Sequence, residues 1–292
     1  MPGSPHGYKY SGGAESAYPS GKGRAMKPRG RLTRLAVALG VVFGLAQGAQ
    51  AERKSVGYSL TFVRGVPAHV VTVNMNDPDV KMTVILASGG VGKSESFRGM
   101  MRRTHPDAAI TGTYFGLRDW LPTGSIIVEW DRVYGGFVGT AVAVTPFNHV
   151  SFIHGRVAND ADWGGYESVI WVGPTLVQSG KIWVDPRAQG FRDASLFRPR
   201  RRTAIGVTRW GKLLMVAVNR PIYLGRMAAI MKDLGAREAA SLDGGTSTAL
   251  FYRGDFFATP GRHLTNVIAV YSSGRHITRA AQAPRPAPSP TL

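Results

Sequence analysis

Ser241-Leu242-Asp243-Gly244-Gly245-Thr246-Ser247-Thr248-Ala249-Leu250 packs an acid, two glycines and several hydroxyls into one short stretch. Apolar residues flank it: Ala239 and Ala240 before, Leu250, Phe251 and Tyr252 after. The pattern reads as a buried strand that runs into a tight Gly-Gly turn and out again. Glycine permits positive φ and close approach of a ligand. Successive backbone N–H groups in such a turn can cradle an anion. Asp243 then falls at a strand end, where a rigid scaffold presents chemistry. The competing reading is an ordinary hairpin turn, for which Asp-Gly and Gly-Gly are common dipeptides.

Outward from this turn, β-branched and alternating segments read as strands. His69–Met75 and Val80–Ala87 flank the turn Asn76-Asp77-Pro78-Asp79 and are expected to pair as an N-terminal hairpin, with residues 52–57 leading in. Further strands are expected at Ala108–Phe115, Ser125–Glu129, Thr140–Thr145, Val150–His154, Ser168–Val172, Glu238–Leu242 and Asn266–Tyr271. Thr203–Thr208 and Lys212–Val218 form a hairpin about Arg209-Trp210-Gly211, after an irregular basic loop over 185–202. Ser96–Arg103 is a short helix. Met227, Ile230, Met231 and Leu234 repeat at helical spacing, and Gly235 is the expected C-cap. The balance predicts an α+β fold: a single domain over 56–273, with a large mixed β-sheet core and few helices.

Composition narrows the chemistry. The 292 residues contain no cysteine, which excludes disulfides, thiolate metal sites and cysteine nucleophiles. The net charge of +18 favours anionic partners. Lys27, Arg29, Arg31 and Arg34 precede an apolar run, Leu35–Ala46, and then Ala49-Gln50-Ala51. That is the layout of a secretory signal, too short in its apolar part for a membrane span. Residues 1–51 are therefore expected to be extension and signal, with Met26 as the start of the signal itself. The product is expected to be exported, periplasmic or secreted, with no stable membrane span after cleavage. Residues 274–292 are Pro/Ala-rich and read as a disordered tail.

Gly89-Gly90-Val91-Gly92-Lys93-Ser94 lacks the spacing of a nucleotide phosphate loop. The histidines at 69, 105, 149, 154 and 263 are isolated, so no metal site or cofactor is predicted. Arg198-Pro199-Arg200-Arg201-Arg202-Thr203 is the densest basic cluster, and guanidinium forks match phosphate oxygens. Tyr114, Phe115, Trp120, Trp163, Trp171 and Phe191 could stack on sugar faces or pack the core. A nucleic-acid partner is not expected, since charge alone points to one and no recognition motif supports it.

Six blocks in order carry a resemblance: Ile110–Phe115, Pro122-Thr123-Gly124, Gly173–Val177 with Gly180-Lys181, Arg202–Val207, Leu234-Gly235-Ala236 and Leu242–Thr248. Together they resemble the phosphodiester glycosidase family, which includes the lysosomal uncovering enzyme and exported bacterial relatives. The resemblance implies hydrolysis of a sugar-1-phosphodiester at the glycosidic C1–O bond, in cell-envelope or extracellular glycan metabolism. It implies Asp243 and Arg202 as catalytic, the latter on the phosphate. It also implies substrate contacts from Thr203, Gly244, Gly245, Ser247, Thr248, Thr111, Gly112 and Tyr114. Glu129 and Asp131 are candidates for a second carboxylate. Thr111, Asn219 and Thr246 depart from the family pattern of Asn, Asp and Gly at those places. The departures keep a second reading open: a non-catalytic glycan-binding protein on the same fold.

Overall fold

The computed structural model describes residues 55–155 and 161–272. The expected signal and tail lie outside the described residues. Those residues form an α+β fold dominated by strands, with two α-helices, α1 (Phe97–Thr104) and α2 (Leu224–Asp233). The expected large sheet is divided into three, and among the described residues every pairing between strands is antiparallel.

The seven-stranded sheet runs Val56–Val63, Val66–Asn74, Lys212–Ile222, Arg200–Thr208, Ala236–Ser241, Thr175–Gln178, Lys181–Ile182. One five-stranded sheet runs Asp255–Ala258, Leu250–Tyr252, Ala108–Thr111, Asn266–Tyr271, Lys81–Leu86. The other runs Asp131–Phe137, Gly124–Val128, Ser168–Val172, Thr140–Val144, Val150–Ile153. One apolar cluster joins all three, with Val71 and Met215, Ile110 and Ile268, and Ile126 and Ile170 fully buried in it. Merging the inward faces of three sheets removes more apolar area from water than any one sheet could.

The N-terminal pairing differs from the sequence expectation. Val66–Asn74 pairs with Val56–Val63 and with Lys212–Ile222, whereas Lys81–Leu86 pairs with Asn266–Tyr271 in another sheet. The turn at Asn76–Asp79 therefore links two sheets and closes no hairpin. Residues 56–63, where no strand was expected after the lead-in over 52–57, form an edge strand.

Both helices follow their apolar spacing. In α1, Phe97, Met100, Met101 and Thr104 are buried, and the Ser96 hydroxyl caps the start by accepting from Gly99 N at 3.1 Å. In α2, Met227, Ile230 and Met231 pack on the seven-stranded sheet, and Gly235 at φ 90° follows its end.

Candidate active site

Strand Ala236–Ser241 delivers the Asp243 turn to the junction of two sheets. Leu242 N donates to Thr203 O at 2.9 Å, within the seven-stranded sheet, and Asp243 N donates to Gly112 O at 3.1 Å. Gly112 directly follows strand Ala108–Thr111 of a five-stranded sheet. A Cβ at Gly112 would lie 1.9 Å from Asn266 Oδ1, so only glycine brings that carbonyl to Asp243. Gly245, at φ 60°, then opens the 3₁₀ turn Gly245–Ser247.

Asp243 is 5% exposed. Arg262 Nη2 donates to its Oδ2 at 3.2 Å, and Arg262 Nε donates to Ser247 Oγ at 2.6 Å. The Ser247 hydroxyl and the Gly244 N–H also favour the charged carboxylate. Beneath it, Thr203 Oγ1 donates to the Asp243 carbonyl at 2.6 Å. Burial disfavours the charged form more than these donors favour it, and the pKa is raised to about 6. A carboxyl that titrates near neutrality can exchange protons with substrate or water.

Asp243 opens onto a cavity of about 530 Å³. Its apolar wall includes Tyr114, Phe115 and Phe191, and Arg262 stacks over the Phe115 ring at 4.9 Å. The Tyr114 hydroxyl lies 3.3 Å from Ser241 Oγ, and burial pushes its pKa up. Its charged lining includes Asp193, Arg192, Arg200, Arg202 and Arg262 besides Asp243. Asp193 Oδ1 accepts from Ser195 N at 2.7 Å and so caps the 3₁₀ turn Ala194–Phe197.

Arg202 lines the same cavity but is 4% exposed, and its donors turn to the main chain. Nε donates to Ile222 O at 3.2 Å, and Nη2 donates to Leu196 O at 3.0 Å and Arg198 O at 2.7 Å. Burial lowers its pKa. Its guanidinium thus fastens the segment that carries Asp193 onto the sheet that carries Asp243.

Of the sequence candidates, Asp243, Arg202, Gly244, Gly245 and Tyr114 line the cavity together. Thr111, Gly112, Thr203, Ser247 and Thr248 are not among its lining and stand behind it. Thr111 N donates to Ala249 O at 3.3 Å, and the Thr248 hydroxyl is buried without a partner among the described residues. Glu129 and Asp131 lie at the turn between Gly124–Val128 and Asp131–Phe137, away from the cavity. Asn219 accepts from Arg201 Nη2 at 3.1 Å and donates to Phe257 O at 2.9 Å, bracing the neighbouring loops. Trp163 and Trp171 pack on each other with ring centroids 4.7 Å apart.

Sequence reasoning missed Arg262 and Asp193, while Thr246, singled out there only as a departure from the family pattern, also lines the cavity. Arg262 sits in a loop without hydrophobic period, fixed only by contacts such as Gly261 N to Thr246 O at 2.8 Å. Asp193 carried one local signal, the Asp-x-Ser spacing of a capped turn. Among the described residues, no group of three or more His, Asp or Glu side chains is arranged to hold a metal.

A family model described as phosphodiester glycosidase matches residues 104–271. No curated protein matches the sequence. A hypothetical protein from Synechocystis has a similar structure, with TM-score 0.65 and 16% identity over 74% of this chain. The chain spans 62% of that protein's length. The catalytic domain of zebrafish N-acetylglucosamine-1-phosphodiester alpha-N-acetylglucosaminidase, auto-inhibited by its pro-peptide, aligns with TM-score 0.60 and 19% identity. That alignment covers 74% of this chain and 82% of the zebrafish domain. A protein from Burkholderia pseudomallei aligns with TM-score 0.54 and 14% identity, over 73% of this chain and 76% of that one.

Proposed function

The chain belongs to the phosphodiester glycosidase family, and on that premise we propose that it hydrolyses the glycosidic bond of a sugar-1-phosphodiester. The observation that carries this reading is a buried, near-neutral carboxyl, Asp243, facing a cavity rich in arginine. A phosphodiester is anionic, and Arg200 and Arg262 are the cations offered to it. Glycoside hydrolysis commonly uses two carboxyl groups. Asp193 supplies the second in this cavity.

In the proposed reaction, water attacks C1 while the C1–O bond breaks and the phosphate monoester leaves with the bonding pair. Asp243 takes the proton from that water, as its pKa of about 6 suits a base working near neutrality. Asp193 faces the positive charge that builds on the sugar ring. The leaving phosphate needs little protonation, so charge stabilisation dominates. The envelope or extracellular setting is supported by the basic, apolar and small-residue order over 27–51. No described helix is long and apolar enough to cross a membrane.

The test is a screen of sugar-1-phosphodiesters against ordinary glycosides, with parent and Asp243→Asn. Sugar is expected from the diesters alone, with a loss on the order of a thousandfold in the variant. Binding of the diesters without turnover would favour the glycan-binding reading that the departures at Thr111 and Asn219 keep open.

A further inference from the structure

Strand Arg200–Thr208 has the cavity at one end and a very different surface at the other. Its nine residues span roughly 30 Å at about 3.3 Å each. Beyond Thr208 the chain turns through Arg209-Trp210-Gly211. Trp210 is 66% exposed on this turn, although burying an indole would remove a large apolar area from water. The turn holds it firmly. Thr208 Oγ1 accepts from both Trp210 N and Lys212 N, at 3.3 and 3.2 Å. Asn76 Nδ2 donates to Trp210 O at 3.0 Å, and Met75 N donates to Gly211 O at 3.1 Å. The exposed ring is therefore presented from a fixed backbone.

Grooves of about 710 and 610 Å³ meet at this turn, and both are lined by Arg209, Trp210 and Arg237. Lys212 and Lys232 add cations to the second, and Phe147, 91% exposed, adds an aromatic face to the first. Neither lining contains an Asp or Glu. Among the described residues, Arg209, Lys212 and Arg237 form no ion pair. Arg209 instead lies over the Trp210 ring, 4.4 Å from its centroid. Unpaired guanidinium groups attract and fork onto carboxylate or phosphate. A flat indole offers an apolar face to the C–H side of a sugar ring.

We propose that this basic, aromatic groove binds an acidic polysaccharide, with a sugar ring on Trp210 and its anionic groups on Arg209, Arg237 and Lys212. The choice of a glycan over another polyanion rests on the sugar-phosphodiester reading of the cavity across the same sheet. The groove would hold the polymer while the cavity works on a phosphodiester it carries.

The test titrates the full chain with oligogalacturonate, neutral dextran oligomers and oligodeoxythymidylate. Oligogalacturonate is expected to bind tightest, with affinity falling as salt rises. Trp210→Ala is expected to weaken it roughly tenfold. Trp210→Phe should recover much of the loss, and the Arg209→Ala, Arg237→Ala pair should flatten the salt dependence. All these variants should hydrolyse a small soluble sugar-1-phosphodiester at the parent rate. Unchanged binding in Trp210→Ala, or tighter binding of oligodeoxythymidylate, would overturn the proposal. Binding of oligogalacturonate with no hydrolysis of any diester would sink the catalytic reading and leave the groove standing.

Discussion

Asp243 is buried by the same contacts that make it useful. Its pKa of about 6 exceeds the ordinary value of about 3.9 expected when unfolded. The folded state therefore holds the proton more tightly, and stability falls as pH rises from about 4 to about 6. Asp243→Asn removes that cost. The variant is expected to be more stable than the parent at pH 7, by on the order of 2 kcal/mol, and equal to it near pH 4. Denaturant unfolding at the two pH values checks this; a variant less stable at pH 7 would contradict the burial argument. Asp243 was legible in the sequence because its neighbours in the chain make its setting: strand, Gly-Gly turn and the Ser247 hydroxyl. Arg262 was not, because it reaches the carboxylate from a loop 19 residues away. No local periodicity encodes such an approach.

At the scale of elements, the structure recasts Arg202. Its place at the mouth of a buried strand was legible, since Arg202-Thr203-Ala204-Ile205 runs straight into apolar sequence, but the strand begins earlier, at Arg200, and takes in residues read as loop. The direction of the Arg202 guanidinium was not legible, because the carbonyls of Leu196 and Arg198 come from a segment read as an irregular loop and that of Ile222 from the far end of the neighbouring strand. Arg202→Ala would leave buried carbonyls unpaired and release the turn that holds Asp193. It is expected to lower stability by about 2–4 kcal/mol together with turnover. Thermal unfolding and kcat measured on the same samples check this. A variant with parent stability and only a raised KM would mean that the guanidinium serves the phosphate instead. The N-terminal strands failed for a related reason. Asn76–Asp79 announces a turn, but a turn does not say whether its strands pair. Val66–Asn74 and Lys81–Leu86 join separate sheets because each completes a different face of the common core. The edge strand Val56–Val63 was hidden by its exposed Leu60 and Phe62, which blur the alternation.

For the whole molecule, class and element content were legible and the partition into three sheets was not. Strand patterns count inward faces, while the way those faces meet depends on contacts distant in sequence. That meeting puts the Asp243 turn where the seven-stranded sheet hands over to a five-stranded one, with Arg262 and Asp193 converging from separate loops. The central claim is a reaction at C1 of the sugar, and the bond broken tests it directly. Hydrolysis of a sugar-1-phosphodiester in ¹⁸O-labelled water, read by mass spectrometry, locates the incoming oxygen. The account expects the label in the anomeric hydroxyl of the released sugar and none in the phosphate monoester. Label in the phosphate would mean attack at phosphorus and would contradict it.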